Sequence, residues 1–513
     1  MSCTQRVHRD FAANRFVKNY NTHIINDSLQ LYLNSPGDIT YITERKALSK
    51  IIRKRKSTYS NVLLFGKTNL DPFYEYFLIL DDPAVPKIGI QENTIILDTI
   101  LNNHTVSLIA KSLDQDTVAF KADINTIFYS IQIGPSYRKD ISTVIDIVSK
   151  YRGSNRFIEA YEEIKKYPAY DESEEWVKLQ MQLTYASFLE NHYEYDKLMN
   201  RFTPKSIQDS ISQIIQQNLI PAPKVYEEIT TKAKLTNLVM VNENHFMPQH
   251  RQFVYSLLPA LREIGYKYLA LEALGKEQDS LLNKEGGFPT LETGFYTREQ
   301  HFANLLRYAK TLGFEFVAYE SDGSMDRELG QAQNLYNKTI GRDKNAKVLL
   351  LGGIDHILEQ PTEKGKMWLG AILHEEYGID PLTISQTHLN KYRKFFKEEI
   401  AMVEGRHFKN RLLAVDYHLL DNMSHSLTDE QEANFTYKNK YSFPVQLTFF
   451  LAEELAHEYD YKDKTPVHAI YLKPNERATL KLPPKDFYLI LFDANGKEVG
   501  NKMVSALNRD HKR

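Results

Sequence analysis

Four short segments place carboxylates and imidazoles where an apolar run stops. Leu238-Val239-Met240-Val241 is followed by Asn242-Glu243-Asn244-His245, and the apolar run of "YKYLALEAL" reaches Glu272. "FEFVAYESDG" adds Glu320 and Asp322, and "KVLLLGGIDHI" adds Gly352, Gly353 and His356. A carboxylate beside an imidazole fixes the ring tautomer and raises its basicity, which is the arrangement of a general base. A second imidazole on a facing strand could protonate a leaving group. His245, His356 and Glu272 are also of the types that hold a divalent metal and polarise a water, and spacing alone leaves both chemistries open. The HExxH signature of zinc proteases is absent.

Neighbouring residues read less sharply. His250 opens a helix with Arg251, Gln252 and Phe253, the setting of a surface helix residue as much as of a ligand. Gly352-Gly353 suits a tight turn, or a backbone whose amides approach an anionic group. Arg327 in "MDRELGQAQNLYNKTI" reads as a solvated helix charge or as a clamp on developing negative charge. Tyr296 and Arg298 in "ETGFYTREQHF" fall between two strand–helix units, where a loop could line a site.

These residues need elements to carry them. From about Tyr226 strand-like runs (Leu238–Asn242, Tyr268–Glu272, Phe314–Tyr319, Lys347–Gly352) alternate with helix-like ones (Gln249–Ile264, Arg298–Leu312, Asp326–Ile340, Lys364–Tyr377). That alternation predicts an α/β domain with a parallel sheet covered by helices, whose sites form beyond the carboxyl ends of the strands. The four segments then share one rim. We expect four regions: an α+β module over 1–139, a helical connector over 140–224, the α/β domain over 225–440 and a small β module over 441–513. In the first, residues from about Ser28 read as helical. Asn61–Phe65, Tyr76–Leu80, Thr94–Leu97, Val106–Ala110, Thr117–Phe120 and Thr126–Ile133 read as strands. The connector resembles a tetratricopeptide-type hairpin around Trp176, Tyr185, Ala186 and Tyr193, with too few units for a solenoid.

The 513 residues exceed a single ordinary core, and a formal charge of −2 with 25% charged residues gives no global argument for nucleic acid or a membrane surface. The basic run Arg53-Lys54-Arg55-Lys56 reads as a solvated helix end. No apolar stretch approaches the roughly 20 residues of a membrane span. The single cysteine, Cys3, excludes an internal disulfide and any two-thiolate metal site. "MSCTQ" also resembles the lipidation region of a bacterial lipoprotein, which would make a lipid anchor the membrane link and the location periplasmic or outer-membrane; otherwise the chain reads as cytoplasmic.

"NENHFMPQHRQFVYSLLPAL" followed by "ALEAL" resembles the ChaN-like, erythromycin-esterase-like and TraB-like superfamily. The resemblance covers about residues 235–390. It matches Glu243 and His245 to a first strand-end motif, Glu272 to a second, Arg327 and Asn334 to a helix, and Gly353 and His356 to a last motif. Asn242 departs from the family pattern, which has glycine there. The resemblance implies hydrolysis of an ester, lactone or amide by histidine and glutamate, with or without a metal, or haem binding by a lipoprotein linked to iron uptake. The leading expectation is a hydrolase: His245 activates water, Glu243 or Glu272 orients it, His356 protonates or stabilises, and Arg327 meets negative charge. A metal would use His245, Glu272 and His356. Haem would use His250 or Tyr296 as axial ligand. The partner is then a small-molecule substrate or haem. A third expectation is a non-catalytic interaction protein working through its connector and terminal modules.

Overall fold

Alternating apolar strands and amphipathic helices build the sheet that carries the marked residues. The computed structural model describes residues 20–505 apart from 27–30, 37–38, 69–72, 86–88, 92, 102, 114–116, 134–142, 168–171, 203–206, 423–432 and 456–459. Cys3, and with it the expected lipid anchor, lies outside the described residues. Among the described residues, no helix is long and apolar enough to cross a membrane. The fold is mixed α/β with several sheets. It divides into two units, one drawn from 1–146 and 168–178, the other from 147–167 and 179–513.

The first unit carries a six-stranded antiparallel sheet in the order Ile39–Ile42, Val62–Thr68, Tyr74–Leu80, His104–Ser112, Thr94–Leu101, Gly89–Gln91. Every residue of Tyr74–Leu80 is buried because both faces are covered. Tyr74, Tyr76 and Leu78 pack with Phe120 and Ile124, while Phe77 and Ile79 pack with Leu48. Two expectations fail here. Thr117–Phe120 and the start of Thr126–Ile133 belong to one helix, Thr117–Tyr129, with only Gln132–Ile133 extended. Phe120, Ile124, Ile127, Phe128 and Ile131 recur at helical spacing and share one core, so the period outweighs the β-branched composition. The region after Ser28 is likewise not helical at first: Leu31–Pro36 and Ile39–Ile42 are strands, and the helix starts at Arg45.

In the second unit the central elements are β1 (Ile220–Pro221), α1 (Ala222–Ala233), β2 (Leu238–Glu243), α2 (Pro248–Glu263), β3 (Tyr268–Leu271), α3 (Gln300–Thr311) and β4 (Glu315–Ala318). They continue with α4 (Arg327–Lys338), β5 (Val348–Gly353), α5 (Leu369–Tyr377), β6 (Leu382–Ser385), β7 (Ile400–Glu404) and β8 (Tyr417–Asp421). The strands form one sheet in the order β1-β7-β8-β6-β2-β5-β3-β4. From β8 to β4 every pair is parallel, and β7 alone runs against its neighbours. Sequence reading missed β1, β6, β7 and β8. "LTIS", "IAMVE" and "YHLLD" are short, carry polar residues, and have no long helix between them to announce an alternation.

Helices cover both faces. Val239 and Val241 pack against Phe253 and Leu257 of α2 and Phe302 and Leu305 of α3. Leu238 and Met240 pack against Ala332 and Leu335 of α4 and Leu369 and Ile372 of α5. Burial on both sides explains the unbroken apolar runs of these strands. β2 leads into α2 on one face and its neighbour β5 leads into α5 on the other. The sheet's carboxyl edge therefore opens between β2 and β5, where such folds place their sites.

The second unit also holds the helices Phe157–Lys166, His192–Phe202 and Asp209–Asn218, and the helix Glu172–Phe188 from Leu179 on. The carboxyl end is a β-sandwich. His468–Leu472, Val445–Leu451, Asp486–Asp493 and Glu498–Ser505 form one sheet, Ala433–Lys438 and Arg477–Leu482 the other. Phe435, Leu447, Phe449, Leu480, Phe487 and Leu489 fill its core. Arg307 of α3 ties this sandwich to the central sheet through a two-pronged pair with Glu454, at 2.6 and 2.7 Å.

Leu257 sits fully buried between α2 and the sheet. Truncation to alanine is expected to cost about 2–5 kcal/mol by loss of burial and a residual cavity, read as a lower urea midpoint with unchanged slope.

Candidate active site

β2 ends in Glu243, whose side chain points to the α2 face with Val239 and Val241 and is buried with 1% exposure. Its Oε1 lies 2.8 Å from His245 Nδ1, and Arg251 of α2 donates to both of its oxygens, at 2.8 and 3.2 Å. Burial alone would raise this carboxyl; Arg251 and His245 outweigh it and bring it down to about 2. An ionised carboxylate only accepts, so His245 carries its proton on Nδ1 and leaves Nε2 as the acceptor. Arg251 also donates to Glu299 at 3.0 Å. Glu299 caps α3, accepting from the His301 and Phe302 amides at 2.9 and 3.0 Å, and meets His301 Nδ1 at 2.7 Å. Burial opposes the charge on Arg251, yet the two glutamates hold its pKa above the ordinary guanidinium value.

The second half of the site comes from β3, β4, α4 and β5. Glu272 accepts from the Gly353 amide at 2.5 Å and from Arg327 Nη2 at 2.6 Å, and His356 Nε2 lies 3.2 Å away. Burial pushes Glu272 up, but His356, His245 and Arg327 carry it well below the carboxylate range. Arg327 also pairs with Glu320, through Nε at 3.0 Å and Nη2 at 2.5 Å, and its side chain remains half exposed. His356 Nδ1 meets Glu328 at 2.7 Å, and Glu328 also accepts from the Leu369 amide that opens α5. Burial lowers the His356 pKa, yet Glu272 and Glu328 raise it to about 9. The two carboxylates thus favour the charged ring, against the Arg327 Nη1 that stands 3.3 Å from His356 Nε2.

Gly352 and Gly353 have ordinary negative φ angles, so their role is not a left-handed turn. It is close approach. A Cβ on Gly352 would lie 2.9 Å from the Tyr319 hydroxyl. A Cβ on Gly353 would lie 3.0 Å from Glu272 Oε2, 3.4 Å from His356 Cδ2 and 3.7 Å from His245 Nε2. One point above Gly353 thus gathers the free nitrogen of the oriented imidazole, a carboxylate and the cationic imidazole. Tyr296 stacks on the His245 ring, centroids 4.1 Å apart and 18° from parallel.

The structure brings together Glu243, His245, Glu272, Tyr296, Glu320, Arg327 and His356 from the residues marked in the sequence. Arg327 is not a solvated helix charge, because two carboxylates hold it. Asn334 donates to the Tyr319 and Glu320 carbonyls and holds the β4 end. Asp322 is exposed and turns back to the Ser324 amide. His250 is neither a surface residue nor open to a ligand. It is fully buried, and its Nδ1 accepts from the Asn244 amide at 2.9 Å. Burial brings it down to about 3, so it stays neutral. That placement gives no support to His250 as a haem ligand.

Asn242 takes up a task that glycine could not perform. It donates to the Ile354 carbonyl and Thr387 Oγ1 and accepts from the Gln386 amide, tying together the loops that follow β5 and β6. Sequence reading also missed Arg251, Glu299 and Glu328, each of which stands beside a residue it did mark.

His245, Glu272 and His356 do not fit a metal. Both His356 nitrogens face carboxylates, and the Arg327 guanidinium occupies the Glu272 oxygen that would coordinate. Among the described residues, no group of three His, Cys, Asp or Glu side chains is arranged to hold an ion.

No family model and no curated protein matches the chain. Solved structures similar in part include the type III effector HopBA1, at 14% identity and TM-score 0.25, over 33% of this chain and 86% of that one. Another is RRSP, a MARTX toxin effector domain from Vibrio vulnificus CMCP6, at 15% and 0.21, over 46% of this chain and 44% of that one. A third is the C-terminal region of Pasteurella multocida toxin, described with a thiol-protease-like catalytic triad, at 10% and 0.28, over 78% and 61%. Scores this low do not establish a common fold.

The His356 pKa is raised on folding, so its stabilising contribution is complete below the ordinary value of 6.5 and is lost as pH rises through about 9. The urea midpoint should fall across that window, and His356→Gln should flatten the fall. Glu243 acts in the opposite sense: its contribution is complete above 4.5 and is lost as pH falls through about 2. An equal alkaline fall in wild type and His356→Gln would contradict the assigned ion pairs.

Proposed function

We propose that this chain hydrolyses a carbonyl compound, an ester, lactone or amide, with water as nucleophile. The observation that carries the reading is the convergence above Gly353 of His245 Nε2, Glu272 and His356, with Glu243 orienting the first from behind. His245 Nε2 takes a proton from water as the water oxygen adds to the carbonyl carbon. The negative charge that develops on the carbonyl oxygen meets the cationic side of the site, His356 and the half-exposed Arg327. Collapse of the tetrahedral intermediate breaks the bond to the leaving oxygen or nitrogen. The imidazolium formed at His245 gives that proton to the leaving group, which restores the base. His356, its two nitrogens held by Glu272 and Glu328, places charge beside the oxyanion and keeps its proton.

The same geometry supports placing residues 235–390 with the ChaN-like, erythromycin-esterase-like and TraB-like superfamily. The motif residues Glu243, His245, Glu272, Arg327, Gly353 and His356 form one site and Asn334 braces its edge.

The test is turnover of a panel of aryl esters, lactones and peptide amides by the full chain. For any compound hydrolysed, His245→Ala and Glu272→Gln should each lower kcat/KM by roughly 10²- to 10⁴-fold. Unchanged turnover in both would overturn the assignment.

A further inference from the structure

Arg298 is buried with 1% exposure, and among the described residues no carboxylate pairs with it. Its Nε and Nη2 donate to the Leu291 carbonyl at 3.3 and 3.2 Å, and Nη1 donates to the Tyr151 carbonyl at 3.3 Å. A buried cation held by carbonyls and by the Phe295 ring, 5.6 Å from its guanidinium carbon, is costly, and here it closes the segment Leu291–Arg298 on itself and pins it to residue 151. The rest of the segment is anchored as tightly. The Leu291 amide donates to the Asp463 carbonyl at 2.8 Å, and Thr290 bridges to Lys464 of the carboxyl-terminal region. Phe295 packs against Phe188 and Tyr185, at 5.8 and 6.2 Å between centroids. Gly294 presses on the backbone just past Glu272: a Cβ there would fall 2.0 Å from the Ala273 carbonyl oxygen. Between Phe295 and Arg298 stands Tyr296, the residue stacked on His245.

We propose that Arg298 is a positioning residue for the His245 base, acting through Tyr296, whose ring it holds against the imidazole. Tyr151 and the region around residue 463 are therefore part of the site's scaffold. Among the described residues the His245 ring makes one hydrogen bond, from Nδ1 to Glu243 at 2.8 Å, about which it can rock. The Tyr296 face removes that freedom, and small misplacements of a reacting group are costly in rate. Only the kinetic arm of the test below rests on the hydrolase reading.

The experiment uses the full chain labelled with ¹³C at histidine Cε1, the His245 signal being assigned by its loss in His245→Gln. Wild type should give one sharp His245 resonance. Arg298→Met and Tyr296→Leu should each split or broaden it, with the His104 signal unchanged, and Tyr296→Phe should restore the single line. If a substrate is in hand, kcat should fall by roughly 10- to 100-fold in Arg298→Met, with KM changing less. A single sharp His245 line in folded Arg298→Met would overturn the proposal. If that variant does not fold, a single sharp line in Tyr296→Leu overturns it instead. If the ring signal responds as expected while no panel compound is turned over, the positioning role stands and the hydrolase reading fails.

Discussion

The Glu243 carboxylate, buried and shared between Arg251 and His245, is the interaction on which both fold and site depend. Breaking a buried pair by removing one partner costs about 3–5 kcal/mol. Here the pairing is a chain: His245, Glu243, Arg251, Glu299 and His301 alternate in contacts of 2.7 to 3.0 Å. The chain fastens β2 to α2 and α2 to the cap of α3. The fastening that seats two helices on the sheet is thus the one that fixes the imidazole's tautomer, and neither can be altered alone.

Sheet topology supplies the rest. β2, β5 and β3 are consecutive in space but not in sequence. Their carboxyl ends set an oriented imidazole, a glycine pair and a carboxylate side by side. Arg327 and His356 add positive charge on one flank, and Glu328 keeps His356 protonated from behind. The two histidines differ because their surroundings differ. His245 meets one carboxylate and an aromatic face, whereas His356 is enclosed by two carboxylates.

Much of this was legible because parallel strands buried on both faces are written as plain apolar runs. Leu238–Val241 and Val348–Leu351 announce themselves, and the polar residues after them fall at strand ends by necessity. The short strands β6, β7 and β8 carry no such signal. Thr117–Tyr129 misled because its isoleucines and phenylalanines suggest a strand while their spacing is helical. The supporting charges Arg251, Glu299 and Glu328 stayed hidden for another reason. Their meaning lies in partners 8 to 48 residues away, and no local pattern states which strand will lie beside which. His250 reads as a surface helix residue as much as a ligand because it opens a helix, but the structure buries it fully.

The central claim is that Glu243 holds His245 with its proton on Nδ1 and Nε2 free above Gly353. Ring ¹⁵N chemical shifts of His245 at neutral pH read the tautomer directly. Wild type should show a protonated Nδ1 and an unprotonated Nε2, with that preference lost in Glu243→Gln. An Nε2-protonated, Nδ1-bare ring in the wild-type chain would contradict it.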